Sequence, residues 1–361
     1  VSLARLTGQV HIVGSGLLGT SIALALRQQG VDVSVEDISP ANQALAIDFG
    51  GFRTVADGDE PILVVVCVPP DVTANAVKNA LERFSNATVT DVASVKVSIL
   101  EELVSLGLDL SRYVGSHPMA GRERGGALSG QADLFIGRPF IICASQNARA
   151  ESVALVEALS LDLGASPVRL SPTEHDNAVA LVSHLPQLVA SLLAGRLADS
   201  DLADLSLAGQ GLRDTARIAA SDPKLWMQIL AANSAAILPL LESYAEDLAR
   251  GIDALKDVRA SGSIATLAKI LESGNLGISR LPGKHGARST DYVSLVVMID
   301  DKPGALAKLL TTIGAAQINI EDLKLEHAAG AQVGLVELAV LPTAVGALTE
   351  LLAANNYRLA G

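Results

Sequence analysis

Short apolar runs separated by longer stretches of helical spacing open the chain. Gln9–Val13, Val31–Val35, Ile62–Val68, Thr88–Val92, Tyr113–Gly115 and Pro139–Cys143 are rich in β-branched residues and read as strands. Their alternation with helical segments predicts a mainly parallel sheet with helices on both faces. From about Ser171 the texture changes to Ala- and Leu-rich segments with helical periodicity, and no strand signal returns until Tyr292. A turn-rich stretch between Gly274 and Arg288 reads as a linker. Beyond it the pattern gives a strand at Tyr292–Ile299, a turn at Asp301-Lys302-Pro303-Gly304 and a helix at Ala305–Gly314. Strands at Ile318–Leu325 and Gln332–Leu341, a helix at Ala344–Ala354 and a short strand at Tyr357–Leu359 follow. The expected organisation is a Rossmann-type doubly wound α/β domain over residues 1–170, an all-helical domain over 171–282 and a small α+β unit of order βαββαβ over 290–361.

A chain of 361 residues has room for two or three cores, in line with this division. No apolar run of membrane-spanning length is evident; the Leu225–Leu241 stretch is broken by Gln228, Asn233, Ser234 and Pro239. The first residues lead straight into a strand rather than a signal-peptide core, so a cytoplasmic protein is expected. A formal net charge of −12 argues against nucleic-acid binding, which rests on neutralising many phosphates. An anionic metabolite would need a local positive pocket, which arginines between Arg122 and Arg217 could supply. Cys67 and Cys143 lie in or near apolar strands without metal-ligand spacing and read as buried reduced thiols, and no metal site is expected. The apolar helical block calls for a large partner, most economically a second copy in a two-fold homodimer.

Gly14-Ser15-Gly16-Leu17-Leu18-Gly19 follows the first strand directly and opens a helix over Thr20–Gln29. Glycines in this pattern permit the turn, the approach of backbone to a pyrophosphate and close helix–strand packing, while the helix amino terminus favours the anion. The second strand ends at Glu36-Asp37. A carboxylate there accepts hydrogen bonds from the adenosine ribose and disfavours a 2′-phosphate, so NAD is the expected cofactor, with Asp37 the first choice and Glu36 behind it. Val68-Pro69 ends a further strand where the cofactor would cross the sheet edge. His117, in Gly115-Ser116-His117-Pro118-Met119-Ala120-Gly121, stands at another strand end, beside the expected nicotinamide. An imidazole titrates close to working pH and suits a general base.

These motifs, with Asp91-Val92-Ala93-Ser94-Val95-Lys96, Gly121-Arg122-Glu123, Ser183-His184-Leu185-Pro186-Gln187 and Arg213-Asp214-Thr215-Ala216-Arg217, together resemble the prephenate dehydrogenase family, including its arogenate-using members. The resemblance implies oxidative decarboxylation of prephenate to 4-hydroxyphenylpyruvate in tyrosine biosynthesis, or of arogenate to tyrosine. It implies that His117 is the catalytic histidine and that Ser94 orients substrate and histidine, with a helix-capping role for Ser94 the alternative. Arg217 would bind a substrate carboxylate through its guanidinium fork, with Arg213 an accessory cation or a surface neighbour. His184 would position substrate or pack its helix, and Trp226 would line the pocket or fill the core. Arg122 precedes Glu123 where the family favours a small polar residue. Glu123 could therefore meet the ammonium of arogenate, or Arg122 or Arg124 the keto acid of prephenate, with a solvent-facing position the alternative; the cations favour prephenate. His11, His175, His285 and His327 receive no chemical role.

The carboxy-terminal unit resembles an ACT domain. The resemblance implies amino-acid binding near Asp301, Pro303 and Gly304 and near Asn319 and Ile320, with tyrosine the expected feedback effector. Two readings compete with the dehydrogenase. One is a non-catalytic NAD- and amino-acid-responsive regulator, which leaves His117, Ser94 and Arg217 without a joint purpose. The other is a β-hydroxyacid dehydrogenase, whose catalytic lysine signature in the helical domain is not evident.

Overall fold

The structure is a computed structural model that describes residues 4–121, 125–281, 292–327 and 333–360. Its first half alternates β1 (Val10–Val13), α1 (Leu17–Gln28), β2 (Val33–Glu36), α2 (Pro40–Gly50), β3 (Leu63–Val66), α3 (Pro70–Arg83), β4 (Thr88–Asp91), α4 (Val97–Ser105) and β5 (Tyr113–Pro118). Then come β6 (Pro139–Ala144), α5 (Ala150–Asp162) and β7 (Ser166–Arg169). The seven strands lie in the order β2-β1-β3-β4-β5-β6-β7. All neighbours are parallel except β5 and β6. The described residues between them form no crossover α-helix of the kind that usually joins parallel neighbours.

Strand order reverses at β1, with β2 on one side and β3 on the other. In open sheets this leaves a crevice at the carboxyl ends of the strands. Gly14, Val68, Ser94 and His117 follow or end β1, β3, β4 and β5 and so share that edge. Apolar side chains on the two sheet faces, among them Ile12, Ile22 and Leu159 on one and Val64, Val77 and Leu103 on the other, are buried in two clusters. Strand β7 was not expected. It is a mostly exposed edge strand of four residues containing Pro167, so it shows neither an apolar run nor alternation.

Helices follow without interruption by strands: α6 (Pro172–Val179), α7 (Leu185–Gly195), α8 (Leu202–Leu205), α9 (Gln210–Ala216), α10 (Pro223–Ala232), α11 (Ser234–Lys256) and α12 (Ser263–Ser279). Helix α12 corrects the expected linker, since it runs through Gly274 and Gly277. A glycine costs a helix interior about 1 kcal/mol, which does not by itself end a helix of 17 residues. The rest of that linker, with His285, lies outside the described residues. A second correction concerns length: the continuous helix Pro172–Gly195 is long and apolar enough by composition to cross a membrane. It nevertheless buries His175, Asp176 and His184 within its own compact unit.

By contact density the chain forms two such units, Val1–Asp199 with Asp214–Tyr244, and Ser200–Arg213 with Ala245–Gly361. Within the second, β8 (Val293–Asp300), α13 (Ala305–Ala315), β9 (Asp322–His327), β10 (Val333–Val340), α14 (Val345–Ala354) and β11 (Arg358–Ala360) form an antiparallel sheet of order β11-β8-β10-β9. Val297, Leu309, Val336 and Leu348 are buried in its own core. Strand β9 starts later than its apolar signal because Gln317, at φ 57°, still belongs to the turn after α13.

Candidate functional site

The glycine loop after β1 has a separate physical reason for each glycine. Gly14 has φ +96°, and a Cβ there would sit 2.5 Å from the Cys67 carbonyl oxygen and 3.0 Å from Val68 Cγ1. A Cβ on Gly19 would lie 1.9 Å from the Gly14 carbonyl oxygen. A Cβ on Gly16 would meet nothing within 4 Å among the described residues, so the chain leaves that side of the loop open. Helix α1 starts at Leu17 without a side-chain cap, leaving its first N–H groups to an incoming anion. Asp37 closes the loop: Oδ2 accepts from the backbone N of Ser15 at 2.8 Å and from its hydroxyl at 2.9 Å, and Oδ1 accepts from Ser39 N at 2.9 Å. Glu36 instead pairs with Arg83 at 2.8 Å and faces His11 at 3.4 Å. Its carboxyl is held below the usual range, first by His11 and then by Arg83. The geometry thus puts Asp37 rather than Glu36 against the loop. Open backbone at Gly16, uncapped N–H groups and a carboxylate beside them fit a dinucleotide's pyrophosphate and ribose.

At the end of β4, Asp91 is fully buried with three partners: the Lys96 ammonium, the Tyr113 hydroxyl at 2.7 Å and the Ala93 N–H at 2.9 Å. The Lys96 side chain crosses β5 at Gly115, where a Cβ would come within 3.1 Å of Lys96 Cδ. A side chain at Gly115 would therefore crowd that of Lys96. Ser94 does not cap α4. That helix starts at Val97, and the N–H groups of Lys96 and Val97 donate to Oδ1 and Oδ2 of Asp176, both at 2.9 Å.

His117 lies two strands from β3 on the same edge, and its Nδ1 is 2.8 Å from Nε2 of His175. His175 Nδ1 is in turn 2.7 Å from Asp176 Oδ1. His175, which the sequence left without a chemical role, is therefore the direct neighbour of the expected base. Burial, the main cause, with His175, Lys96 and His184 nearby, holds His117 well below the ordinary imidazole value of 6.5. This corrects the expectation of a group titrating close to working pH. The imidazole is kept neutral, the form that takes up a proton.

Helix α6 places this pair rigidly. Pro172 stands in its first turn and Ser171 and Glu174 form a reciprocal capping box, fixing where the helix begins. Between α6 and α7 the wide π-helical turn Ala180–His184 intervenes. Pro186 has no N–H, and its ring crowds the carbonyl four residues back, at Val182, so the ladder widens there. In an ideal α-helix the nine positions from His175 to His184, at about 100° each, would leave the two rings on opposite sides. One extra residue in the turn returns them to about a quarter turn apart. His184 is buried, and its Nδ1 is 3.0 Å from the Asn233 side-chain nitrogen, which also donates to the Asp176 carbonyl at 2.8 Å. Trp226 on α10 meets His184 edge to face at 6.0 Å and packs on the sheet's core cluster, as its core reading expects. Burial lowers His184 to about 4.

Arg217 stands exposed on the turn Arg217–Ala220, which packs against α7, and Ser221 beyond it donates to Gln187 at 3.4 Å. Arg213 is exposed on α9 and groups with the second unit, Arg217 with the first. Arg122, Glu123 and Arg124 lie outside the described residues. In the second unit Gly304, at φ +87°, precedes α13 after Asp301 and Pro303, and the Asn319 amide donates to Glu321 at 2.6 Å in the segment with Ile320. The sequence passed over His175, Asp176, Asn233 and the buried Lys96. Only the Ser171–Glu174 capping box, which fixes the start of α6, signalled where the first two would sit. Cys67 and Cys143 are free thiols, and burial pushes Cys143 up to about 12. No metal-binding cluster occurs among the described residues.

Two family models match in succession: prephenate dehydrogenase, nucleotide-binding domain, over residues 22–169, and prephenate dehydrogenase, dimerization domain, over 171–273. The Streptomyces niveus protein named "Probable prephenate dehydrogenase NovF" is 34% identical over 338 residues, spanning 92% of this chain and 93% of its own. The structure of Aquifex aeolicus prephenate dehydrogenase with hydroxyphenyl propionate and NAD+ aligns at TM-score 0.65 and 28% identity, over 75% of this chain and 98% of that one. Synechocystis arogenate dehydrogenase aligns at TM-score 0.60 and 25% identity, over 74% and 99%.

Proposed function

The chain belongs to the prephenate dehydrogenase family and is an NAD-dependent oxidoreductase, and from that premise we propose that it converts prephenate to 4-hydroxyphenylpyruvate with loss of carbon dioxide. The single observation that carries this reading is the half-buried imidazole of His117, 2.8 Å from His175, on the sheet edge it shares with the glycine loop.

Gly14, Gly16, Gly19, the first N–H groups of α1 and Asp37 hold the dinucleotide, with Val68 and Pro69 at the next strand end beside them. When bound, the nicotinamide supplies the acceptor for the hydride that leaves the ring carbon bearing the hydroxyl. His117 takes the hydroxyl proton as that carbon becomes a carbonyl. Loss of the ring carboxylate as carbon dioxide returns an electron pair to the oxygen and completes the aromatic ring, and His117 gives the proton back. Ser94 keeps the hydroxyl aligned with His117. Arg217 receives a substrate carboxylate through two parallel hydrogen bonds. His184, with a proton on Nε2, donates to the substrate, and Trp226 walls the pocket.

Prephenate is preferred because a dianion suits arginines better than the zwitterionic side chain of arogenate does. Purified protein with NAD and either compound, followed by absorbance of the reduced cofactor, tests this. A clear advantage for prephenate in kcat/KM is expected, and equal or better turnover of arogenate overturns the preference.

The chain works as a homodimer in this reading. Support comes from the match to a dimerization domain and from exposed apolar stripes, Leu248, Ile252 and Leu255 on α11 and Ile264, Leu271 and Ile278 on α12. The βαββαβ unit acts as an ACT-like sensor that binds tyrosine near Asp301, Pro303, Gly304, Asn319 and Ile320. Support here is the observed element order and the left-handed glycine before α13. Tyrosine inhibits by binding one conformational state better than another.

A further inference from the structure

We propose that His175 and Asp176 are positioning residues that decide which nitrogen of His117 is the base, holding the proton on Nδ1 so that Nε2 presents a lone pair to the substrate. The inference rests on the reading of His117 as the base and names what sets its reactive form.

The argument runs from the fixed end of the chain of contacts. Asp176 cannot rotate: Oδ1 accepts from the N–H of Lys96 and Oδ2 from that of Val97, each at 2.9 Å. A carboxylate has no hydrogen to give, so the ring nitrogen 2.7 Å from Oδ1, His175 Nδ1, carries one. Neutral His175 then has a lone pair on Nε2, directed at His117 Nδ1 across 2.8 Å. Two lone pairs cannot face each other at that distance, so His117 Nδ1 carries a hydrogen and Nε2 does not. When His117 becomes an imidazolium its Nδ1–H still donates to His175, and the charge is met by a chain of oriented dipoles ending on Asp176. A third group that orients a catalytic histidine in this way is worth orders of magnitude in rate in serine proteases. Burial adds to the effect, since His175 is fully buried and bulk water cannot substitute for its ring.

Asp176 also ties in the second histidine. Its backbone carbonyl fixes the Asn233 amide, which donates to His184 Nδ1 and so leaves the proton of neutral His184 on Nε2. One turn of helix thereby sets two imidazoles in opposite tautomers, one able to accept and the other to donate.

The test uses the full-length protein with His175→Leu and His175→Gln. Glutamine can offer its side-chain oxygen near the place of Nε2, whereas leucine offers nothing. His175→Leu is expected to lower kcat by roughly 10²-fold or more with KM for prephenate and the Kd for NAD nearly unchanged. His175→Gln is expected to recover much of that loss. The ¹⁵N spectrum of histidine-labelled wild-type protein should show the His117 proton on Nδ1, a measurement that needs no variant to fold. A leucine variant with wild-type kcat, a glutamine variant no better than leucine, or a wild-type proton on Nε2 overturns the assignment. Retained turnover in His117→Asn would instead remove the base itself, so the two failures are distinguishable.

Discussion

The side-chain amide of Asn233 lies 3.0 Å from Nδ1 of His184, with its second hydrogen on the Asp176 carbonyl. Asn233→Ala strands His184 Nδ1 in the interior, at a cost of about 1–3 kcal/mol, while the Asp176 carbonyl keeps the Ala180 N–H. Thermal unfolding should move to lower temperature. KM for substrate should rise several-fold while the Kd for NAD stays within about twofold, as steady-state kinetics and calorimetry would show.

Acid should reach the catalytic histidine late. Burial, with His175, Lys96 and His184 around it, keeps His117 below 6.5, so the base remains unprotonated as pH falls through that value. The acid limb of kcat/KM against pH is expected to break below 6.5. A break at or above it would show that His117 titrates like an imidazole in water.

His184 makes a matching prediction for stability. Its value falls to about 4 in the folded chain from 6.5, so the unfolded chain binds more protons between these values. Stability is then undiminished above about pH 6.5 and declines as pH falls toward about 4. Chemical unfolding midpoints across this window should fall less steeply in His184→Gln than in the wild type.

Two glycines of one loop should fail differently. A Cβ at Gly16 meets nothing within 4 Å among the described residues and φ is negative, so in Gly16→Val folding should be unchanged while the side chain blocks the pyrophosphate. At least a tenfold weaker Kd for NAD is expected, about 1.4 kcal/mol. Gly19→Ala drives a Cβ into the Gly14 carbonyl, and a lower melting temperature should come with the loss of binding.

Much of the scaffold was legible because its signals are local. The glycine turn after β1 and the apolar strands each lie within a few residues. His117, Asp37 and Val68 stand at or just beyond strand ends, as their local sequence indicates. The His175 and Asp176 contacts were not legible, since they join α6 to β5 and to α4 across 58 and 80 positions. Likewise no pattern in the sequence shows a π-helical turn, and ideal helical spacing would have put His184 on the wrong side of its helix. Strand β7 hid behind a proline and exposed positions.

The most direct measurement is turnover of His117→Asn beside its affinity for NAD. A fall in kcat of roughly 10²–10⁴-fold, with the Kd for NAD unchanged, is expected of a base that does not hold the cofactor. Wild-type turnover in the variant would contradict the assignment of proton transfer to His117.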